Sequence, residues 1–101
     1  MTESGRIPCV VPFCRRTASA EKMGGCTEII CGKHWRMASP TARRRHSKLA
    51  LMYRRRFGDN GYWEYPAGSP DRLAAVRLAR IEGKAWNRCK KQAIERAGGI
   101  T

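Results

Sequence analysis

Two short cysteine-containing segments carry side chains at a spacing suited to metal binding. In Cys9-Val10-Val11-Pro12-Phe13-Cys14 four residues separate the two thiols, and in Cys31-Gly32-Lys33-His34 a thiol and an imidazole stand three positions apart. Thiolate and imidazole are the donors zinc prefers, and two such pairs close a tetrahedron. The three-residue spacing puts Cys31 and His34 on one face of a first helical turn. Four protein donors leave no open coordination position, so the ion expected from Cys9, Cys14, Cys31 and His34 is one structural Zn2+, without which the N-terminal third unfolds. Cys26, five residues before Cys31, is a fifth candidate that can displace Cys9, Cys14 or Cys31. Cys89 reads as a small core residue.

Five cysteines are an odd number and leave no complete disulfide framework. Met1 to Arg6 has no apolar stretch of the kind that begins an export signal, and no apolar run approaches the roughly 18 residues of a membrane span. The expected location is the cytoplasm, where thiols stay reduced and close-spaced cysteines point to metal.

The chain of 101 residues holds 21 Lys+Arg against 8 Asp+Glu, a formal charge of +13. That imbalance calls for an anionic partner: nucleic acid first, DNA ahead of RNA, and an acidic host protein second. Between Gly32 and Phe57 there are nine Lys/Arg residues and no carboxylate. The candidate phosphate contacts are Arg36, Arg43, Arg44, Arg45, Lys48, Arg54, Arg55 and Arg56, then Arg77, Arg80, Lys84, Arg88 and Lys91. Arginine dominates this set, which suits bidentate contacts to phosphates and guanine edges. Neither a membrane nor a small-molecule substrate is expected.

These residues need elements to position them. Residues 1–8 read as a flexible tail, 9–38 as a zinc knuckle, 39–97 as a helix-loop-helix extension and 98–101 as a second tail. Within the knuckle, Lys22 to Ile30 reads as a hairpin, or two extended arms, around Gly24-Gly25. Ser39-Pro40 and Ser69-Pro70 are both helix starts, a capping hydroxyl followed by proline at the first helical position. The first helix should run from Pro40 to Phe57, stopped by Gly58, and the second from Pro70 to Ala97, ended by Gly98-Gly99. At about 100° per residue, Ala42, His46, Leu49, Ala50, Tyr53 and Phe57 share one face of the first helix. On the second the apolar face comprises Ala74, Leu78, Ile81, Ala85 and Cys89, with Trp86 and Ala93 at its margin. Two antiparallel helices should result, with Tyr62, Trp63 and Tyr65 of the connecting loop folded back over a small core. His46 reads as a core histidine, Trp86 as a contact to the first helix, and Trp35 as a cover for the knuckle.

The pattern CVVPFC, a loop, then ICGKHWRM resembles the zinc knuckles of small phage and prophage proteins. It is similar to the finger that precedes the nuclease domain in some phage HNH endonucleases. Over residues 9–37 the resemblance implies a treble-clef-like arrangement of knuckle, hairpin and helix, with Cys9, Cys14, Cys31 and His34 as ligands. The catalytic half of such a nuclease has no counterpart: once His34 is given to zinc, only His46 remains. The expectation is therefore a small, α-rich zinc-binding protein that is not an enzyme. Its leading function is nucleic-acid binding as a phage regulator or accessory factor, nucleoid-associated if the target is DNA. The alternative is a phage-encoded interaction module that binds and modulates a host protein.

Overall fold

The computed structural model describes residues 5–23 and 26–98. The described residues are helix-rich, with one two-stranded antiparallel hairpin and three α-helices. It divides into two compact units: one takes in the residues up to Ser39 together with those from Lys90, and the other is Pro40–Cys89.

In the first unit, β1 (Arg6–Pro8) pairs with β2 (Thr17–Ser19) in the register Arg6↔Ser19, Ile7↔Ala18, Pro8↔Thr17. Ile7 is buried between exposed Arg6 and Pro8, the alternation of a half-buried strand. The Arg6 guanidinium crosses the ladder and donates to Thr17 Oγ1 at 2.9 and 3.1 Å. Between the strands lies the first cysteine loop. The Cys9 amide donates to the Arg16 carbonyl at 2.9 Å and the Cys14 amide to the Val11 carbonyl at 3.0 Å. The second bond closes a four-residue turn with Pro12 at its second position, where the fixed φ of proline is favourable. A parallel bridge joins Cys9 to Ile29, with the Val10 amide 2.9 Å from the Ile29 carbonyl. The helix α1 (Gly32–Trp35) follows, opened by a 2.8 Å bond from the Trp35 amide to the Cys31 carbonyl.

Two expectations change here. Arg6–Pro8, placed in a tail by the sequence, is a strand. The expected hairpin over 22–30 has its turn, Gly24-Gly25, outside the described residues. Ala20 to Met23 forms a turn of its own, and Ile29 pairs with Cys9.

The end of α3 (Pro70–Ala97) completes this unit. Ala93 is fully buried, Lys90 Nζ meets Glu28 Oε2 at 2.9 Å, and Gln92 Oε1 accepts the Ser39 amide at 2.7 Å. Arg96 donates to the Met37 carbonyl at 2.6 Å. The extension expected over 39–97 therefore gives up its last turns to the N-terminal lobe.

In the second unit, α2 (Pro40–Phe57) packs against the first two-thirds of α3, where His46 meets both Glu82 and Trp86. Both helices occupy the expected residues. Ser69 caps α3 by accepting the Arg72 amide on Oγ at 3.2 Å. Gly58, at φ +65°, takes the left-handed conformation that ends α2, and its amide bonds the Arg54 carbonyl at 2.8 Å. Ala42, Leu49 and Phe57 are buried on α2, as its apolar face requires.

On α3 the buried stripe is Ala75, Ala85, Cys89 and Ala93, while Ile81 is 37% exposed. Of the expected face, Ala85 and Cys89 are thus buried and Ala74 and Leu78 half-buried; Ala75 is buried as well, and Glu82, outside that face, lies 3.7 Å from His46. The connecting segment contains a 3-10 turn, Tyr62–Glu64. Tyr53 donates to the Asn60 carbonyl at 2.8 Å, and Phe57 packs between the rings of Tyr53 and Tyr65 at 5.0 and 5.8 Å. The loop aromatics do not all fold inward: Tyr65 is half-buried, but Tyr62 and Trp63 are exposed, Trp63 by 68%. Trp63 instead lies across Gly61, where an added Cβ would collide with its ring. Among the described residues no helix is long and apolar enough to cross a membrane.

Candidate metal centre

The hairpin and α1 bring four donors together. The sulfurs of Cys9, Cys14 and Cys31 and a ring nitrogen of His34 all lie within 4.8 Å of one another. Cys9 and Cys14 are set by the turn between β1 and β2. Cys31 caps α1 and His34 sits in its first turn, so three-residue spacing becomes one shared side. Cys26 is exposed and outside this group, and His46 is not part of it either.

Cys14 and Cys31 sulfurs are 3.8 Å apart, and His34 Nδ1 is 3.2 Å from Cys31 Sγ and 3.8 Å from Cys9 Sγ. A tetrahedral ion with bonds of about 2.3 Å to sulfur and about 2.0 Å to nitrogen has edges of roughly 3.8 Å between sulfurs and roughly 3.5 Å from sulfur to nitrogen. The four donors are therefore close enough together to be compatible with one metal ion.

The surrounding backbone favours thiolates. The Cys31 amide points at Cys9 Sγ at 3.3 Å and the Arg16 amide at Cys14 Sγ at 3.4 Å. Such outer contacts orient metal ligands and temper their charge. Burial works against ionising Cys31, but the amides of His34 and Lys33 and the neighbouring Cys14 and Cys9 outweigh it, holding this thiol below its ordinary value. At Cys14 the Arg16 amide favours the thiolate, yet burial and the adjacent Cys31 and Cys9 prevail and push the thiol up. Acid competes with a metal ion for the same atoms.

Of the candidate phosphate contacts, Arg36, Arg44, Arg45, Lys48, Arg54, Arg55, Arg56, Arg77, Arg80, Lys84, Arg88 and Lys91 are all at least partly open to solvent, as is the half-buried Arg43. Three converge: Arg45, Lys84 and Arg88 line a groove of about 420 Å³ in the helical unit, floored by Ala42 and Ala85. Arg56 takes a different role, with its guanidinium 5.2 Å from the Phe57 ring centre.

A second hollow of about 420 Å³ lies against the metal ligands Cys14 and His34, lined by Phe13, Arg15, Arg16 and Lys33. Sequence reasoning passed over Phe13, Arg15 and Arg16 as site residues and counted Lys33 only within the basic run. The available signal was adjacency, since each stands within two positions of a metal-ligating residue.

Fold and site together define a small two-unit, helix-rich protein with a Cys3His cluster that could hold one metal ion. No protein-family profile matches the chain, and no characterised protein or solved structure does.

Proposed function

We propose that this is a structural-zinc protein that binds nucleic acid, DNA in preference to RNA, as a phage or prophage regulator or accessory factor. Zinc is the ion of choice for three thiolates and an imidazole in a closed tetrahedron, and its role here is to hold the fold. The order of paired strands, a knuckle turn and a helix that starts at the second ligand pair supports a treble-clef-like reading of the lobe.

The observation that carries the nucleic-acid reading is the groove at Arg45, Lys84 and Arg88. Three cations converge on small apolar side chains, and no carboxylate is among the lining residues. Such a surface takes phosphates. Neighbouring exposed cations on both helices extend it, and the formal charge of +13 provides long-range attraction.

The test is a titration of labelled duplex DNA, single-stranded DNA and RNA, followed by fluorescence anisotropy from roughly 50 to 200 mM salt. Binding that weakens steeply with salt is expected. Replacing Arg45, Lys84 and Arg88 with glutamine should make the salt dependence on duplex DNA shallower, by up to about 0.9 in slope for each phosphate these side chains neutralise. Unchanged affinity in that variant would remove the groove from the function.

One observation favours a second reading, a module that modulates a host protein. Trp63 is 68% exposed yet held across Gly61, the presentation of an interface anchor. Capture of an acidic host protein that depends on Trp63, with no nucleic-acid binding, would favour it.

A further inference from the structure

We infer that the basic hollow beside the metal centre takes an unpaired nucleotide of a single-stranded nucleic acid, stacking the base on Phe13 and holding its phosphate with Arg15, Arg16 and Lys33. This rests on the nucleic-acid reading and deepens it by naming the form of nucleic acid that the N-terminal lobe recognises.

Composition of the hollow is the first support. Its lining includes three cations and no carboxylate. Its volume of about 420 Å³ falls at the lower end of the roughly 300–1,000 Å³ usual for small-ligand sites. Val11, only 2% exposed, forms an apolar floor.

Phe13 is the second. It is 77% exposed, the most of any large apolar side chain among the described residues, at the tip of a turn whose backbone is held by the Cys14-to-Val11 hydrogen bond. Phosphate alone needs only the cations. An aromatic face beside them suits a base, because every base has a π-face and stacking is worth about tenfold or more in affinity. In a duplex those faces are covered by neighbouring base pairs, so the ligand must be unpaired.

Preorganisation is the third. Phe13 precedes Cys14, Arg15 and Arg16 follow it, and Lys33 lies between Cys31 and His34. The Arg16 backbone is fixed further by bonds to Cys9 and to Cys14 Sγ. With both ligand pairs clamped, the four binding side chains leave from ordered backbone, and less ordering remains to oppose association.

The experiment uses the zinc-loaded full chain with labelled oligothymidine of about ten nucleotides, a duplex of equal length and an oligoglutamate competitor. Zinc content is measured for every variant. Phe13→Ala should lower the single-strand to duplex affinity ratio about tenfold. Phe13→Trp should preserve that ratio and Phe13→Leu should not, which separates stacking from simple apolar packing. Arg15→Gln with Arg16→Gln should reduce the single-strand salt slope by about 0.7 for each phosphate that the arginines neutralise.

A ratio unmoved by Phe13→Ala, or preserved by leucine, would sink this inference while duplex binding kept the broader reading intact. Failure of the native chain to bind any nucleic acid would sink both. Phe13-dependent capture of oligoglutamate in place of oligothymidine would make the hollow a peptide site and overturn the assignment.

Discussion

The two units reach stability by different means. The N-terminal lobe has short strands, a four-residue helix and few fully buried side chains, chiefly Ile7, Cys9, Val11, Ala38 and Ala93. So small an apolar core offsets little of the entropy of ordering the chain, and a metal ion held by the Cys3His cluster would supply the difference. The helical unit has no such cluster among its described residues. It relies on long amphipathic helices, the buried Leu49 and Phe57, and small side chains at Ala42, Ala75, Ala85 and Cys89. One unit gathers four metal-binding donors at a point, whereas the other relies on many weak contacts along its helices. Both place their cations outward, so each can present charge from a scaffold of its own kind.

Removing the metal should break the comparison most completely. Chelation, or Cys31→Ala, should unfold the N-terminal lobe, with a loss of zinc-linked free energy on the order of 10 kcal/mol. Helical circular dichroism from Pro40–Phe57 should largely survive, whereas backbone amide protection over β1 and β2 should vanish. Cys26→Ala is the control and should retain one zinc per chain. Loss of zinc there would place Cys26 in the site.

Phe57→Ala tests the opposite unit. Phe57 is 5% exposed and packs on both Tyr53 and Tyr65, so its truncation should cost about 3 kcal/mol. The transition of the helical unit should move to lower denaturant, with zinc content unchanged. Equal destabilisation of both units in hydrogen exchange would show that they fold as one.

The smallest effect is expected at Gly58. Its φ of +65° is strained for any residue with a Cβ, though no atom stands within 4 Å of the added carbon. Gly58→Ala should therefore cost about 1 kcal/mol through backbone strain alone. A larger loss in thermal unfolding would mean that the end of α2 carries more of the unit than its packing suggests.

Much of the helical unit was legible from sequence because its signals are local. Ser69-Pro70 specifies a capped start, Gly58 a left-handed stop, and a 3.6-residue period the buried face of α2. On α3 the same reasoning found the buried Ala85 and Cys89 but missed Ala75 and left Glu82 off the packed side, because by rule a carboxylate faces solvent. Glu82 departs from that rule through His46, which lies on the other helix, and no local window of sequence contains both. The aromatic loop escaped sequence reasoning on related grounds. Composition marks Trp63 as apolar, but only the backbone path through Gly61 decides that the ring lies on the surface.

The metal cluster divides the same way. Spacing within each pair is local, and it identified Cys9 with Cys14 and Cys31 with His34 as candidate corners. Cys26 was a fifth, weaker candidate on paper. It lies outside because Ile29 bridges Cys9, which brings the segment entering Cys31 alongside the first pair while leaving Cys26 exposed. The sequence by itself thus determined donor types, helix limits and charge, which follow from single side chains and their near neighbours. Tertiary structure decided which donors meet, where Glu82 turns and which cations converge on a hollow, because those depend on contacts between residues far apart in the chain.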